Sequence, residues 1–148
     1  MRKIWICGAK GQIGQAINEI IDKLEFKVLD TDIDDLDITD TDEVLRFGEM
    51  NRPDIIINCA GLTNIEECEN DKAYKVNALG ARNLSIIARK LEAKLVHIST
   101  DDVFDGKSDQ PYNEFDQTRP QTAYGKSKLA GEQYVKEFTY KHFIIRST

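Results

Sequence analysis

Short continuous apolar runs alternate with longer amphipathic stretches along this chain. Lys3–Cys7 (KIWIC), Phe26–Leu29, Asp54–Asn58 (DIIIN), Lys94–Ser99 (KLVHIS) and His142–Arg146 (HFIIR) are short and rich in β-branched residues. Such runs suit strands of a parallel sheet covered on both faces. Leu36–Ile38 is expected to add one further short strand. Helical periodicity occupies the intervals Gln12–Leu24, Asp42–Met50, Asp71–Leu91 and Ala123–Tyr140. In the third, Ala73, Val76, Leu79, Gly80, Asn83, Leu84, Ile87 and Leu91 recur at steps of three and four, marking the side that faces the sheet. Strand–helix alternation throughout predicts right-handed crossovers and a three-layer, doubly wound α/β domain over residues 1–148.

The first strand runs directly into ICGAKGQIGQAI, with Gly8, Gly11 and Gly14 between it and the first helix. Glycine is needed there because the chain turns tightly while a pyrophosphate lies against backbone N–H groups at a helix N-terminus. This placement makes the domain Rossmann-type and predicts a dinucleotide, NADPH or NADH. Asp30 and Asp32 end the second strand about 20 residues later, where a carboxylate commonly holds the ribose hydroxyls. The acidic strand end favours NADH, with Lys10 available to a 2′-phosphate. The run DTDIDDLDITDTDE does not fit a calcium loop, because Asp35 and Thr41 stand where glycine and glutamate are required. Ala60 and Gly61, in INCAGLT, let a flat cofactor lie against backbone at a strand's carboxyl end.

Composition narrows the classes. Charged residues make up 31% and the net charge is −6, which argues against nucleic acid as a partner. The apolar runs fall far short of the roughly 20 residues that span a bilayer, and no signal-peptide pattern opens the chain. A cytoplasmic location is expected. Cys7, Cys59 and Cys68 are odd in number and scattered, which reads as free thiols, with neither a disulfide nor a metal site.

LVHISTDDVFDG brings Ser99 and Thr100 to a strand's carboxyl end, where a hydroxyl can hydrogen-bond a substrate carbonyl. Tyr124 and Lys128 stand at i and i+4 on one face of the last helix, behind the Pro111–Gln121 loop and the candidate cap Thr122. A phenol ordinarily titrates near pKa 10, so a neighbouring ammonium is what brings it toward use at neutral pH.

Taken together, GAKGQIG, LDITD, RPDIIINCAGLT, VNALGARNL, VHISTDDVFDG, PYNEFDQTRPQTAYGKSKLAGE and IIRST resemble the dTDP-4-dehydrorhamnose reductase family, within the extended short-chain dehydrogenases/reductases. The resemblance implies reduction of the C4 ketone of dTDP-4-dehydro-L-rhamnose, with a nucleotide-sugar as substrate. It makes Tyr124 the proton donor, Lys128 its modulator and a grip on the nicotinamide ribose, and Thr100 the hydroxyl that polarises the carbonyl. It assigns Gly8, Gly11, Gln12, Ile13 and Gly14 to the pyrophosphate, Asp37 and Ile38 to the adenosine, and Ala60, Gly61 and Thr63 to the cofactor wall. Asn77 is the helix asparagine that braces the site. Asp101 and Asp102 are expected to face the sugar, and a homodimer is compatible with this reading.

Two departures stand out. The family usually carries an aromatic where this chain has Asp102. Family members are also about twice as long, so the resemblance implies a C-terminal substrate lobe beyond these residues. Two alternatives follow. One is a nucleotide-sugar epimerase or dehydratase, which Asp102 beside the threonine keeps open. The other is a non-catalytic cofactor-binding subunit, as the β subunit of methionine adenosyltransferase resembles this family.

Overall fold

The computed structural model describes residues 1–63 and 71–148; Cys68 lies outside them. Five strands form one parallel sheet: β1 (Arg2–Cys7), β2 (Phe26–Thr31), β3 (Ile55–Asn58), β4 (Lys94–Thr100) and β5 (His142–Ser147). Their spatial order is β2-β1-β3-β4-β5. The chain moves outward from β1 to β2, then returns past β1 to lay down β3. The switch point therefore falls between β1 and β3, where a doubly wound sheet opens a crevice for ligands. Register keeps the carboxyl ends level, with Cys7 opposite both Thr31 and Asn58, and Asn58 opposite His97. Every loop that could touch a ligand leaves the same edge.

The helices are α1 (Gln12–Ile20), α2 (Thr41–Asn51), α3 (Asp71–Tyr74), α4 (Ala81–Leu91) and α5 (Ala123–Phe138). Trp5, Cys7, Ile56 and Leu95 of the sheet pack with Val44 of α2, Leu84 and Ile87 of α4, and Val135 of α5. Each large aliphatic buried here contributes about 2 kcal/mol. The indole of Trp5 donates to Thr31 Oγ1 at 2.8 Å, so its one polar atom is satisfied inside the core. Asp40 caps α2 through Glu43 N, and Thr122 caps α5 through Gly125 N as expected.

Three expectations are corrected. Leu36–Ile38 forms no strand. Leu36 and Ile38 are buried, but Asp35 N and Leu36 N both donate to Asp32 O, and Asp40 N donates to Asp37 O. Turns built around aspartates occupy the backbone groups that a ladder would need. The first helix stops at Ile20, because Ile21 is extended and Asp22 starts a turn by accepting from Leu24 N. The long helix expected over Asp71–Leu91 contains a π-helical turn at Lys75–Gly80 between α3 and α4. There Gly131 of α5 presses on the Asn77 carbonyl so closely that a Cβ would stand 2.3 Å from its oxygen. Among the described residues no helix is long and apolar enough to cross a membrane.

Candidate active site

The glycine turn is built by contact with the neighbouring strand. Gly8 has φ +74°, a left-handed conformation, and a Cβ on it would lie 2.7 Å from Ala60 N. The loops leaving β1 and β3 therefore touch across the switch point. Gly14 is buried beneath the turn, where a Cβ would meet Gly8 O at 2.4 Å. Helix α1 starts with Gly11 as N-cap, which supplies no side-chain bond, and its first turn carries no acid. The leading N–H groups of α1 thus stay available to an anion, unlike those of α2 and α5. The chemistry of this turn fits a pyrophosphate.

Two cavities meet at the turn. One, of about 450 Å³, is lined by Gly8, Lys10, Gly11, Asp32, Asp37, Ile38, Ala60 and Gly61. The other, of about 350 Å³, is lined by Gln12, Ile13, Thr63, Thr100, Tyr124 and Lys128. Gly11, Cys59 and Gly61 border both, so the two form one cleft. The first half suits a nucleoside; the second gathers the groups with chemistry. A larger cavity of about 710 Å³ lies between α5 and β5 and touches neither the glycine turn nor Tyr124 or Lys128.

Most residues singled out by sequence line the cleft; Gly14 packs beneath the turn, Asn77 supports the wall through Leu62, and Asp30, Asp101 and Asp102 lie outside it. Asp30 accepts from Asn18 Nδ2 of α1 at 2.6 Å and stays outside it, whereas Asp32 sits in the nucleoside half. Asp101 faces the large cavity by α5 and β5, and Asp102 lines none of the three; both are exposed. Both instead contact Thr100, whose Oγ1 donates to Asp101 Oδ1 at 3.5 Å. Asp102 N donates to Thr100 Oγ1 at 3.1 Å, so the hydroxyl caps the short 3-10 turn Asp101–Val103.

Lys128 is buried, and its ammonium donates to Ile98 O at 2.7 Å. Burial pushes its pKa down to about 8, with Glu132 pulling the other way. It remains mostly charged at neutral pH. Asn77 holds both sides of the cleft. Its Oδ1 accepts from Leu62 N at 2.8 Å, and its Nδ2 donates to Leu62 O at 3.1 Å and to Ser127 Oγ at 2.9 Å. Ser127 in turn donates to Tyr124 O at 2.8 Å. The π-turn brings Asn77 to this position, 15 residues from Leu62 and 50 from Ser127.

Three features escaped the sequence reading. Cys59 borders both halves of the cleft, with its thiol pKa raised to about 11 by burial. Glu132 is fully buried and paired with Arg146 of β5 at 2.7 Å. His97 is buried beside Asn58. Only Glu132 left a signal, standing at i+4 from Lys128 on the inward face of α5.

Known proteins share this sequence and fold. The Bacillus subtilis (strain 168) spore coat polysaccharide biosynthesis protein SpsK is 37% identical over 150 residues, covering 100% of this chain and 53% of its own length. A dTDP-4-dehydrorhamnose reductase from Mycolicibacterium smegmatis is 37% identical over 149 residues, with 99% and 45% covered. Among solved structures, one dTDP-4-dehydrorhamnose reductase from Clostridium acetobutylicum superposes with TM-score 0.96 at 44% identity. Another from Bacillus anthracis, in complex with NADP, gives 0.95 at 42%. Each structure is matched over 99% of this chain and 53% of its own. The chain thus spans about half the length of the relatives it matches. With the family model for the RmlD substrate binding domain matching residues 1–148, the chain belongs to that family.

Proposed function

We propose that the protein carrying this chain reduces the C4 ketone of a nucleotide-activated deoxysugar, of the dTDP-4-dehydrorhamnose type, with NADH or NADPH. The observation that carries the reading is one cleft in which Thr100, Tyr124 and Lys128 line the half next to the glycine turn. The Bacillus anthracis relative with NADP supports the dinucleotide, and the names of the reductase relatives support the sugar.

When bound, the cofactor supplies the hydride that the ketone carbon takes. The chain's own groups manage the oxygen. Thr100 Oγ1 accepts from Asp102 N and donates to Asp101 Oδ1 across a long 3.5 Å, a weak bond that yields when the hydroxyl turns its proton to the carbonyl and orients it. Tyr124 then gives its hydroxyl proton to the developing alkoxide, forming the alcohol, and regains a proton from solvent. The Lys128 ammonium, fixed on Ile98 O, stabilises the tyrosinate left behind.

The test is oxidation of NADH or NADPH by the full-length protein with a dTDP-4-keto sugar. Tyr124→Phe is expected to lower turnover by about 10²- to 10⁴-fold while keeping cofactor affinity. An unchanged rate in that variant would sink the mechanism. Cofactor binding with no sugar-dependent oxidation would support the non-catalytic subunit instead.

A further inference from the structure

Electrostatics at the nucleoside end of the cleft distinguish the two dinucleotides. Asp32 is fixed there, with Oδ2 accepting from Lys10 N at 2.9 Å, Oδ1 from Ile33 N at 2.8 Å, and its own N–H donating to Asp35 Oδ2 at 2.9 Å. A carboxylate so held keeps spare lone pairs for the two hydroxyl donors of an unmodified ribose. A 2′-phosphate has only acceptors to offer and adds close to two negative charges, which Asp32 repels.

The cation on the same turn is Lys10, and it is already engaged. Its ammonium lies 3.0 Å from Asp34 Oδ2, and Asp34, unlike Lys10, does not line the cavity. Lys72 lines the cavity from α3, and Asp37 adds a second lining carboxylate, which accepts from Thr39 N and Oγ1.

We propose that Asp34 sets the cofactor preference of this site: by pairing with Lys10 at the rim of the cleft, it takes up the cation a 2′-phosphate would need and leaves Asp32 to select NADH over NADPH. This rests on the dinucleotide reading of the cleft. The Lys10–Asp34 pair is exposed, 64% and 75% at the two side chains, so its release is worth a small and salt-sensitive factor.

The experiment measures dissociation constants of NADH and NADPH for the full-length protein by dinucleotide fluorescence. Wild type is expected to bind NADH more tightly. Asp34→Asn should tighten NADPH by about two- to fivefold, leave NADH nearly unchanged, and lose that gain as salt is raised. Adding Lys10→Ala to Asp34→Asn should erase the gain. Tighter NADPH binding by wild type, an unchanged ratio in Asp34→Asn, or a gain that survives Lys10→Ala would each overturn the inference. Binding of neither dinucleotide would overturn the reading of the cleft itself, and the inference with it.

Discussion

Ser99 donates its hydroxyl to the Glu132 carboxylate across 2.6 Å, tying the end of β4 to the middle of α5. Arg146 reaches the same carboxylate from β5, through Nε at 3.1 Å and Nη2 at 2.7 Å, and lays its guanidinium over the Phe104 ring. Thr100 follows Ser99 directly, and Tyr124 and Lys128 precede Glu132 on α5. The Ser99–Glu132 bond thus ties together the two elements that carry Thr100, Tyr124 and Lys128, and Arg146 fixes its acceptor from β5.

Removing one side of this pair strands the other. Glu132→Ala leaves a mostly buried guanidinium and a buried hydroxyl without their acceptor, and is expected to cost about 3–5 kcal/mol. Replacing both members by apolar residues, as in Glu132→Leu with Arg146→Met, should recover most of that loss. Denaturant unfolding of the full-length protein checks both, through midpoints compared at equal slope.

The reduction rate should fall as pH rises through about 8. That is where Lys128 loses the charge that supports the tyrosinate, its pKa being lowered by burial. The stability effect has the opposite sign. Folding disfavours the charged lysine, so the native state gains stability between about pH 8 and the ordinary lysine value of 10.5. A pH–rate profile beside a pH–stability profile separates the two. Lys128→Met should abolish both dependences.

His97 predicts acid sensitivity. Burial lowers its pKa to about 3, and it sits as a neutral ring. The amide oxygen of Asn58 is taken by Ala60 N, so Asn58 Nδ2 donates to His97 Nδ1 and the ring proton lies on Nε2. Unfolding lets the ring take a proton below about 6.5, so stability should drain away from there toward pH 3, by up to about 4 kcal/mol. Unfolding of wild type and His97→Gln at neutral and acidic pH tests this. The variant should show the shallower dependence.

Gly8→Ala forces a side chain into a left-handed turn and onto Ala60 N. A loss of about 1–3 kcal/mol in stability is expected, with dinucleotide affinity falling further. Calorimetric titration with NADH provides the measurement.

The layers of this fold were legible because burial on both faces leaves unbroken apolar runs, and β1, β3 and β4 carry them. Leu36 and Ile38 misled because apolar patterning reports burial and cannot say whether a backbone pairs with a strand. The aspartates around them had turn geometry to offer instead. Gly8, Tyr124 and Lys128 could be placed because their spacing is local. Glu132 with Arg146, and Asn77 with Leu62 and Ser127, could not be paired from spacing, since each partnership is set by tertiary contact. Asp30 and Asp32 looked equivalent in one dimension. Only the end of β2 decides that one carboxylate turns to α1 and the other to the cleft.

Asn77 gives the cleft a thermodynamic symmetry. One amide grips the cofactor loop at Leu62 and, through Ser127, the carbonyl of Tyr124. Under the proposed function, a dinucleotide that reshaped that loop would act on the backbone of Tyr124 through the same amide. Any coupling carried this way would be reciprocal: as far as bound dinucleotide shifted the Tyr124 phenol, protonation of that phenol would shift dinucleotide affinity equally.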